Sequence, residues 1–547
     1  MEKKAPKCTV FNNIYNSNEN CLNATALYYY GKKFTYKDLF DNVEQARKSF
    51  VSMGVKKGDN VAFLTLSCPE MVHAILALNS VGAVANMVNP TFTAEQMRNR
   101  INDAEAKMVI ILDQLYDRLT PVMEEICSDW KIIIPIDNSM PVHIRMLVHQ
   151  NLKKSILYNE HIISWKTFLD KGKNTSSYVI RDEQENLPAI MVYSSGTTGA
   201  SKGIVLTNHG INHTISYYDK EDYSINPSDK FLHIGAPWFS TFIITCLFMP
   251  LQKGISVVIE PVFSADKFLK AIKKYKPTMC LGSASFWIYV MENLKDTKVD
   301  LSYLRYPITG GEKVLDDTEI AIDKFLKEHK SPSRLLIGYG MCELGSTVCS
   351  NTLFHYRKGA VGFPIKDVVV AAFDLDSNKE CRYRERGEIR VISPARMKEY
   401  YKRQDATAEY IWKDENGREW GCTGDVGYVD EEGFVYVEGR AMDYFTTISG
   451  DRIYNFDIEN VILEVENVYQ CEVVGRKKKD DSEEPVAFVV LSEKETQSKT
   501  LKSIRELCER RLSREQIPVA IQVIDEFPVK PSGKRDMEQL SKIAAEL

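Results

Sequence analysis

Apolar residues recur at two periods along this chain, and the alternation between the periods predicts its elements. Tyr36 to Met53 is amphipathic at helical spacing, Asn60 to Leu66 is a short apolar run, Pro69 to Val81 is helical again, and Ala83 to Val88 is apolar. This is the βαβ rhythm of a layered α/β protein. Short buried strands are then expected at Met108 to Leu112, Lys131 to Ile136, Pro188 to Tyr193, Phe231 to Ile234, Ser256 to Ile259 and Met279 to Leu281. Asp137 to Ser177 breaks the rhythm and reads as a less regular surface excursion. The longest apolar stretch, Met71 to Val88, is interrupted by His73, Asn79, Ser80 and Asn86, which predicts a buried helix followed by a strand rather than a membrane span.

The pattern changes after Gly387. Glu388 to Ile392, Gly427 to Val429 and Phe434 to Glu438 read as short strands, with Asp430-Glu431-Glu432-Gly433 as a hairpin turn between the last two. A compact unit begins near Arg440: a helix at Phe456 to Glu466, strands at Gln470 to Gly475 and Pro485 to Leu491, and a helix near Lys499 to Leu512. The charged stretch Arg476 to Glu484 reads as a solvated hairpin tip.

Composition narrows the class. With 547 residues, 44% hydrophobic and 27% charged, the chain matches ordinary globular protein and not a disordered, collagenous or membrane-embedded one. A net charge of −5 gives no reason to expect general nucleic-acid binding, so any phosphate partner is held locally. The 12 cysteines include no CxxC pair, and the closest two, Cys342 and Cys349, lack zinc-ligand partners at usable spacing. They read as small buried apolar residues in a reducing compartment. Met1 to Asn20 holds no apolar leader segment, so a cytoplasmic location is expected.

The strongest chemical signal is Tyr193-Ser194-Ser195-Gly196-Thr197-Thr198-Gly199-Ala200-Ser201-Lys202-Gly203, just after the apolar run Ala189 to Val192. Small hydroxyl residues let backbone N–H and side-chain O–H groups converge on phosphate oxygens, and Lys202 adds a point charge. The Walker spacing is absent, because Lys202 is preceded by Ser201 and followed by Gly203, which disfavours a P-loop NTPase.

Residues 193 to 203 match the phosphate loop of the adenylate-forming superfamily throughout, and the chain resembles that family, which contains acyl-CoA synthetases, aryl-CoA ligases, firefly luciferase and peptide-synthetase adenylation domains. The likeness runs from about Asn23 to Asp536. It implies an α/β fold with an α+β C-terminal part: a large N-terminal domain, residues 1–439, of layered α/β subdomains plus a β-barrel-like subdomain, and a small mobile domain, residues 440–547.

The resemblance also assigns roles. Ser194, Ser195, Gly196, Thr197, Thr198, Gly199 and Lys202 would hold ATP phosphates. Gly310-Gly311-Glu312 would border the adenine, with Gly311 and Glu312 on the nucleotide. In Gly338-Tyr339-Gly340-Met341-Cys342-Glu343, Tyr339 would pack on adenine beside Gly340, and Glu343 would be the Mg²⁺ ligand, a hard oxygen as that ion requires. Cys342 stands where the family's threonine contacts the α-phosphate, and a thiol is a weaker donor. Asp425 would accept both ribose hydroxyls, Arg440 would reach ribose or phosphate, and Lys534 would be the catalytic lysine. Met442 replaces the usual charged hinge residue and Asp443 follows it. Gly450 would line the path of CoA.

For the acid, Trp238, Phe239, Ser240, Trp287, Gly310 and Gly338 are the expected pocket residues, together with Phe242. Neither Ser240 nor Thr241 supplies the aspartate that pairs with an amino acid's ammonium group, so an apolar acid is preferred. The implied reaction is ATP-dependent activation of a fatty or other apolar carboxylic acid to acyl-AMP, then transfer to CoA. Alternatives are an acyl-AMP ligase loading a carrier-protein thiol, an amino-acid adenylating enzyme, and a nucleotide-binding homologue without turnover. Expected partners are the acid, ATP and CoA, with no nucleic acid and no integral membrane segment; a homodimer is allowed.

Overall fold

The structure is a computed structural model that describes residues 5–151, 156–180, 186–194, 201–218, 223–262, 264–446, 452–478, 482–492, 496–528 and 535–547. It separates into two compact units, one of Met1–Val370, Arg390–Cys422 and Val429–Tyr436, the other of Ala371–Ile389, Thr423–Tyr428 and Val437–Leu547.

Among the described residues the first unit holds two large mixed sheets. The eight-stranded one runs Glu399–Tyr400, Gly203–Thr207, Pro188–Tyr193, Val84–Met87, Asn60–Leu64, Met108–Leu112, Trp130–Ile134, Ile162–Ser164. Its inner strands from Pro188–Tyr193 to Trp130–Ile134 run parallel, and Met108–Leu112 and Val84–Met87 are buried at every residue, because helices cover both faces and leave no polar side to alternate with. The helix Pro69–Ser80 is likewise buried at every residue, which accounts for the long apolar stretch. Among the described residues no helix is long and apolar enough to cross a membrane.

The nine-stranded sheet runs Phe363–Pro364, Ser346–Ser350, Leu336–Met341, Tyr306–Gly310, Met279–Gly282, Lys230–His233, Ser256–Ile259, Thr25–Tyr29, Lys32–Thr35. One face carries the apolar cluster of Leu232, Val258, Phe268, Cys280, Trp287 and Leu335. Five further strands, Val369–Phe373, Gly387–Ile392, Glu419–Val429, Ile411–Lys413 and Val435–Arg440, form a separate sheet. The hairpin turn falls where expected: Asp430 Oδ1 accepts from the N–H groups of Glu432 and Phe434 at 3.0 and 2.9 Å.

The excursion from Asp137 is more regular than its pattern suggests. It contains the helix Val142–Asn151, the strand Ile162–Ser164 paired with Trp130–Ile134, and the helix Trp165–Lys171, whose first turn is capped by Ser164. A strand of three residues is too short for alternation to be read.

In the second unit the strands Val468–Lys477 and Glu483–Leu491 are antiparallel, Ala520–Val523 joins in parallel, and the helices Asn455–Leu463 and Gln497–Arg511 complete a core of Phe445, Ile458, Ile462, Val473, Ala487, Val489 and Ile504. Arg476 and Glu484 are register partners joined at 2.9 Å, so the charges expected in a loop belong partly to the ladder. Residues 479–481 of that stretch lie outside the described residues.

Candidate active site

The Gly/Ser/Thr loop is built on a change of strand direction. Pro188–Tyr193 is parallel to Val84–Met87 on one side and antiparallel to Gly203–Thr207 on the other, so the two strands that flank the loop's sequence run in opposite directions. Three bonds pinch its base. The Ser194 N–H donates to the Lys202 carbonyl at 2.9 Å, the Lys202 N–H donates to Ser194 Oγ at 3.0 Å, and Ser201 Oγ donates to the Ser194 carbonyl at 2.6 Å. Ser195, Gly196, Thr197, Thr198 and Gly199 lie outside the described residues.

Lys202 leads directly to Glu343. Its ammonium sits 4.9 Å from the ring centroid of Tyr400, and the Tyr400 hydroxyl donates to Glu343 Oε1 at 2.9 Å. Burial, and then the neighbouring Glu343 carboxylate, push the Tyr400 phenol well above its ordinary value, so it stays a donor. Glu343 is buried in the 3₁₀ turn Cys342–Leu344. Its carbonyl accepts from the Met397 N–H at 2.7 Å. The chain reaches Tyr400 through a narrow gap, for a Cβ on Gly210 would lie 2.9 Å from Ala395 Cα and one on Gly345 would lie 2.7 Å from the Ala395 carbonyl. Tyr400 was missed by motif reading, since nothing but its place in the two-residue strand Glu399–Tyr400, paired with Gly203–Thr207, brings it here.

The glycine-rich strand ends lie together. Gly310 and Gly338 are register partners, and a Cβ on Gly310 would be 2.9 Å from the Gly338 carbonyl. At Gly340 a Cβ would fall 1.7 Å from the Ser346 carbonyl, so the strand bearing Tyr339 and the strand that follows the Glu343 turn close only around glycine. Gly311 has φ +84° with open space beside it. Glu312 Oε2 accepts from the Ser285 N–H and hydroxyl at 3.0 and 2.7 Å, which engages it with the first turn of the helix Ala284–Leu294.

The expected acid-pocket residues divide between layers. Trp238 is half-buried, Phe239 is exposed, and Ser240 is fully buried at the start of the helical turn Ser240–Ile243. Trp287 sits in the apolar cluster with Leu232 and Cys280, its indole N–H donating to the Ile308 carbonyl at 2.8 Å. Alternation along the strands puts that cluster on the face opposite Gly310 and Gly338. The structure therefore groups Trp287 with the core and apart from the two glycines. His233, which motif reading passed over, is buried at the end of its strand with Nε2 2.9 Å from Ser67 Oγ, and burial lowers it to about 4.

The second unit carries its own cluster. Thr423-Gly424-Asp425 lies inside the strand Glu419–Val429, which begins well ahead of the expected strand Gly427 to Val429. Gly424 has φ +68°, the Asp425 N–H donates to Thr423 Oγ1 at 3.0 Å, and Arg440 Nη1 lies 3.1 Å from both Asp425 Oδ1 and the Thr423 carbonyl. Met442 and Asp443 follow at the surface, where the Asp443 N–H donates to the Arg440 carbonyl at 3.2 Å. Lys534 and Gly450 lie outside the described residues.

A family model described as AMP-binding enzyme matches residues 15–401, and one described as AMP-binding enzyme C-terminal domain matches residues 457–534. The chain belongs to the AMP-binding enzymes. It is 26% identical over 517 residues to a long-chain-fatty-acid–CoA ligase of Bacillus subtilis, covering 93% of this chain and 90% of that one. It is also 26% identical to 4-coumarate–CoA ligase 1 of Arabidopsis thaliana, over 84% and 79% of the two chains. Among solved structures it resembles an anthranilate CoA ligase in complex with anthranoyl-AMP, with TM-score 0.82, 21% identity and 99% of both chains covered. ATP-bound MatB from Rhodopseudomonas palustris gives TM-score 0.81 at 21% identity over 98% and 99%.

Within this AMP-binding enzyme the unusual residues occupy different settings. Cys342 is half-buried beside Glu343, and Met442 is 77% exposed. Among the described residues no three His, Cys, Asp or Glu side chains cluster as a metal site. One buried carboxylate suits a Mg²⁺ ion whose remaining ligands are phosphate oxygens and water, the arrangement that ion favours.

Proposed function

We propose that this AMP-binding enzyme is an acid–thiol ligase that activates a fatty or other apolar carboxylic acid with ATP and passes the acyl group to CoA. The observation that carries the reading is the Lys202–Tyr400–Glu343 chain, because it joins a cation at the base of the hydroxyl-rich loop to a buried carboxylate through one phenol. A triphosphate needs cationic and N–H groups on its oxygens and one hard ligand for its Mg²⁺. Ser194 and Lys202 supply the first, and Glu343, held by Tyr400, supplies the second.

In the first step a carboxylate oxygen attacks the α-phosphorus, the bond to the β-phosphate oxygen breaks, and pyrophosphate leaves. Charge accumulates on the α-phosphoryl oxygens, where Lys534 is assigned to offset it. In the second step the thiol sulfur attacks the acyl carbonyl, loses its proton, and AMP departs. AMP is a good leaving group, so no protein nucleophile is required. Asp425 is assigned to the ribose diol, since one carboxylate accepts two O–H bonds. Arg440, 3.1 Å away, orients it. Met442 and Asp443 are assigned to the hinge at the start of the C-terminal domain, residues 440–547, and Gly450 to the thiol's path. CoA is preferred over a carrier protein because the curated relatives that share most of this chain's length are named CoA ligases.

ATP–pyrophosphate exchange across a panel of acids tests the proposal. Acid-dependent exchange, with thioester on adding CoA, is expected. Exchange without thioester would favour a carrier protein, and no exchange with any acid would overturn the ligase reading.

A further inference from the structure

We infer that the lysine-rich face formed by the helix Ala265–Tyr275 and the neighbouring hairpin turn Tyr30-Gly31 docks on an anionic lipid surface. The docking is peripheral and electrostatic, and it stands apart from the ligase reading.

Helical spacing gathers the charge. Lys267, Lys270 and Lys274 recur at i, i+3 and i+7, so they share one stripe about 10 Å long at ~1.5 Å per residue, with Lys273 beside it. Phe268, Ala271, Ile272 and Tyr275 form the opposite stripe and are buried in the core around Trp287, which fixes the lysines toward solvent. Lys274 reaches the hairpin, for a Cβ on Gly31 would lie 2.6 Å from its Nζ, and the Tyr275 and Tyr28 rings meet at 5.2 Å. The hairpin turns through Tyr30 and Gly31, both at positive φ, 46° and 92°. It then presents Lys32 and Lys33, both exposed, at the start of the edge strand Lys32–Thr35.

Six lysines thus meet on one face of a chain whose net charge is −5. Among the described residues none of the six forms an ion pair, whereas exposed lysines elsewhere do, Lys37 with Asp41 at 2.5 Å and Lys542 with Glu538 at 2.8 Å. The hairpin contributes no carboxylate and the helix only Asp266. Glu260, at the end of the strand Ser256–Ile259, faces Lys267 and Lys274. The face therefore stays net positive.

Lipid fits this face better than nucleic acid or protein. All six cations are lysines, point charges on flexible stems that suit a diffuse headgroup layer and lack the bidentate fork of arginine. The rings are already engaged: the Lys32 and Lys33 ammonium groups sit 4.7 and 5.9 Å from the centroids of Phe34 and Tyr28, so these rings are no free platform for stacked bases. The helix's apolar stripe is spent in the core and offers no anchor of the kind that centres a protein interface. The turn also lies at the same end of the parallel strands as Gly310, four strand intervals away, about 19 Å at ~4.8 Å each. Docking would set the end of the sheet that bears the candidate site beside lipid, where apolar acids partition.

The test is co-sedimentation of the full chain with phosphatidylcholine vesicles, with and without about 30% phosphatidylserine, at low salt and at about 300 mM. Wild type should bind the anionic vesicles at least tenfold better than the neutral ones at low salt and lose most of that advantage at high salt. A lysine near an anionic membrane contributes roughly fivefold, so Lys267→Gln/Lys270→Gln/Lys274→Gln should weaken anionic binding by a factor of about thirty or more. Lys324→Gln/Lys327→Gln/Lys502→Gln removes the same charge from exposed positions on other helices and should stay within about threefold of wild type. Equal binding to both vesicle types, binding to neither, or equal loss in the two variants would overturn the inference. Retention on poly(U) RNA that the first variant abolishes, without vesicle binding, would overturn it in favour of nucleic acid. Every arm reads binding alone, so the result holds whether or not the chain turns over an acid.

Discussion

The Tyr400 hydroxyl donates to Glu343 Oε1 at 2.9 Å, and the same ring lies under the Lys202 ammonium. One phenol thus holds a carboxylate on its edge and a cation on its face, two groups from motifs far apart in the chain. Tyr400→Phe keeps the ring and removes only the donor. A hydrogen bond to a charged group contributes about 1.5–3 kcal/mol, so the exchange rate should fall roughly tenfold or more. The magnesium concentration for half-maximal rate should rise as well. Tyr400→Ala should lose further, because the surface facing Lys202 goes with the ring. Unchanged magnesium dependence in Tyr400→Phe would separate Tyr400 from the metal.

Asp425 and Arg440 form a pair in which the arginine side chain is 53% exposed. Exposed ion pairs contribute about 0–1 kcal/mol, so Asp425→Asn should shift thermal stability little. The amide keeps one acceptor but loses the charge and the ability to accept two hydroxyls equally. The KM for ATP should therefore rise tenfold or more, and 2′-deoxy-ATP should lose its disadvantage against ATP in the variant. A large fall in stability with unchanged KM would make the pair structural.

Much of the scaffold is legible in the sequence, for physical reasons that individual elements show. Met108–Leu112 and Pro188–Tyr193 are visible because buried parallel strands are continuous apolar runs of strand length. Ala520–Val523 is half-buried at all four positions and shows no alternation, so nothing marks it before its partner strand is known. The glycine motifs stand out because the backbone demands them: a Cβ at Gly340 cannot coexist with the Ser346 carbonyl. Tyr400 carries no such mark. Trp287 looks like a pocket residue in sequence because composition does not reveal which face of a sheet a following helix covers; only the register separates it from Gly310 and Gly338.

Lys534 belongs to the Pro531-Ser532-Gly533-Lys534 motif near the chain's end, and its assigned work is confined to the first step. Lys534→Ala should lower acyl-AMP formation by a factor of a hundred or more while leaving thioester formation from supplied acyl-AMP within about threefold. Single-turnover measurement of each step gives the comparison. Equal loss in both would contradict a role at the α-phosphate.

His233 and His73 connect this architecture to pH. Burial lowers them to about 4 and about 3, from an ordinary value of 6.5. Below that ordinary value the unfolded chain binds protons that the folded chain refuses, so the unfolded state is favoured as pH falls. Stability should be level above about pH 7 and decline from about 6.5 toward 4, by at most about 3 kcal/mol for His233 alone at the lower limit. His233→Gln cannot titrate but retains an amide to meet Ser67, 2.9 Å from Nε2 in the native residue. Urea unfolding between pH 4.5 and 7.5 should show a shallower slope in this variant, with stability at pH 7.5 changed less than at pH 4.5. A parallel displacement at every pH would mean that packing against Phe242, and not protonation, is what His233 contributes to stability.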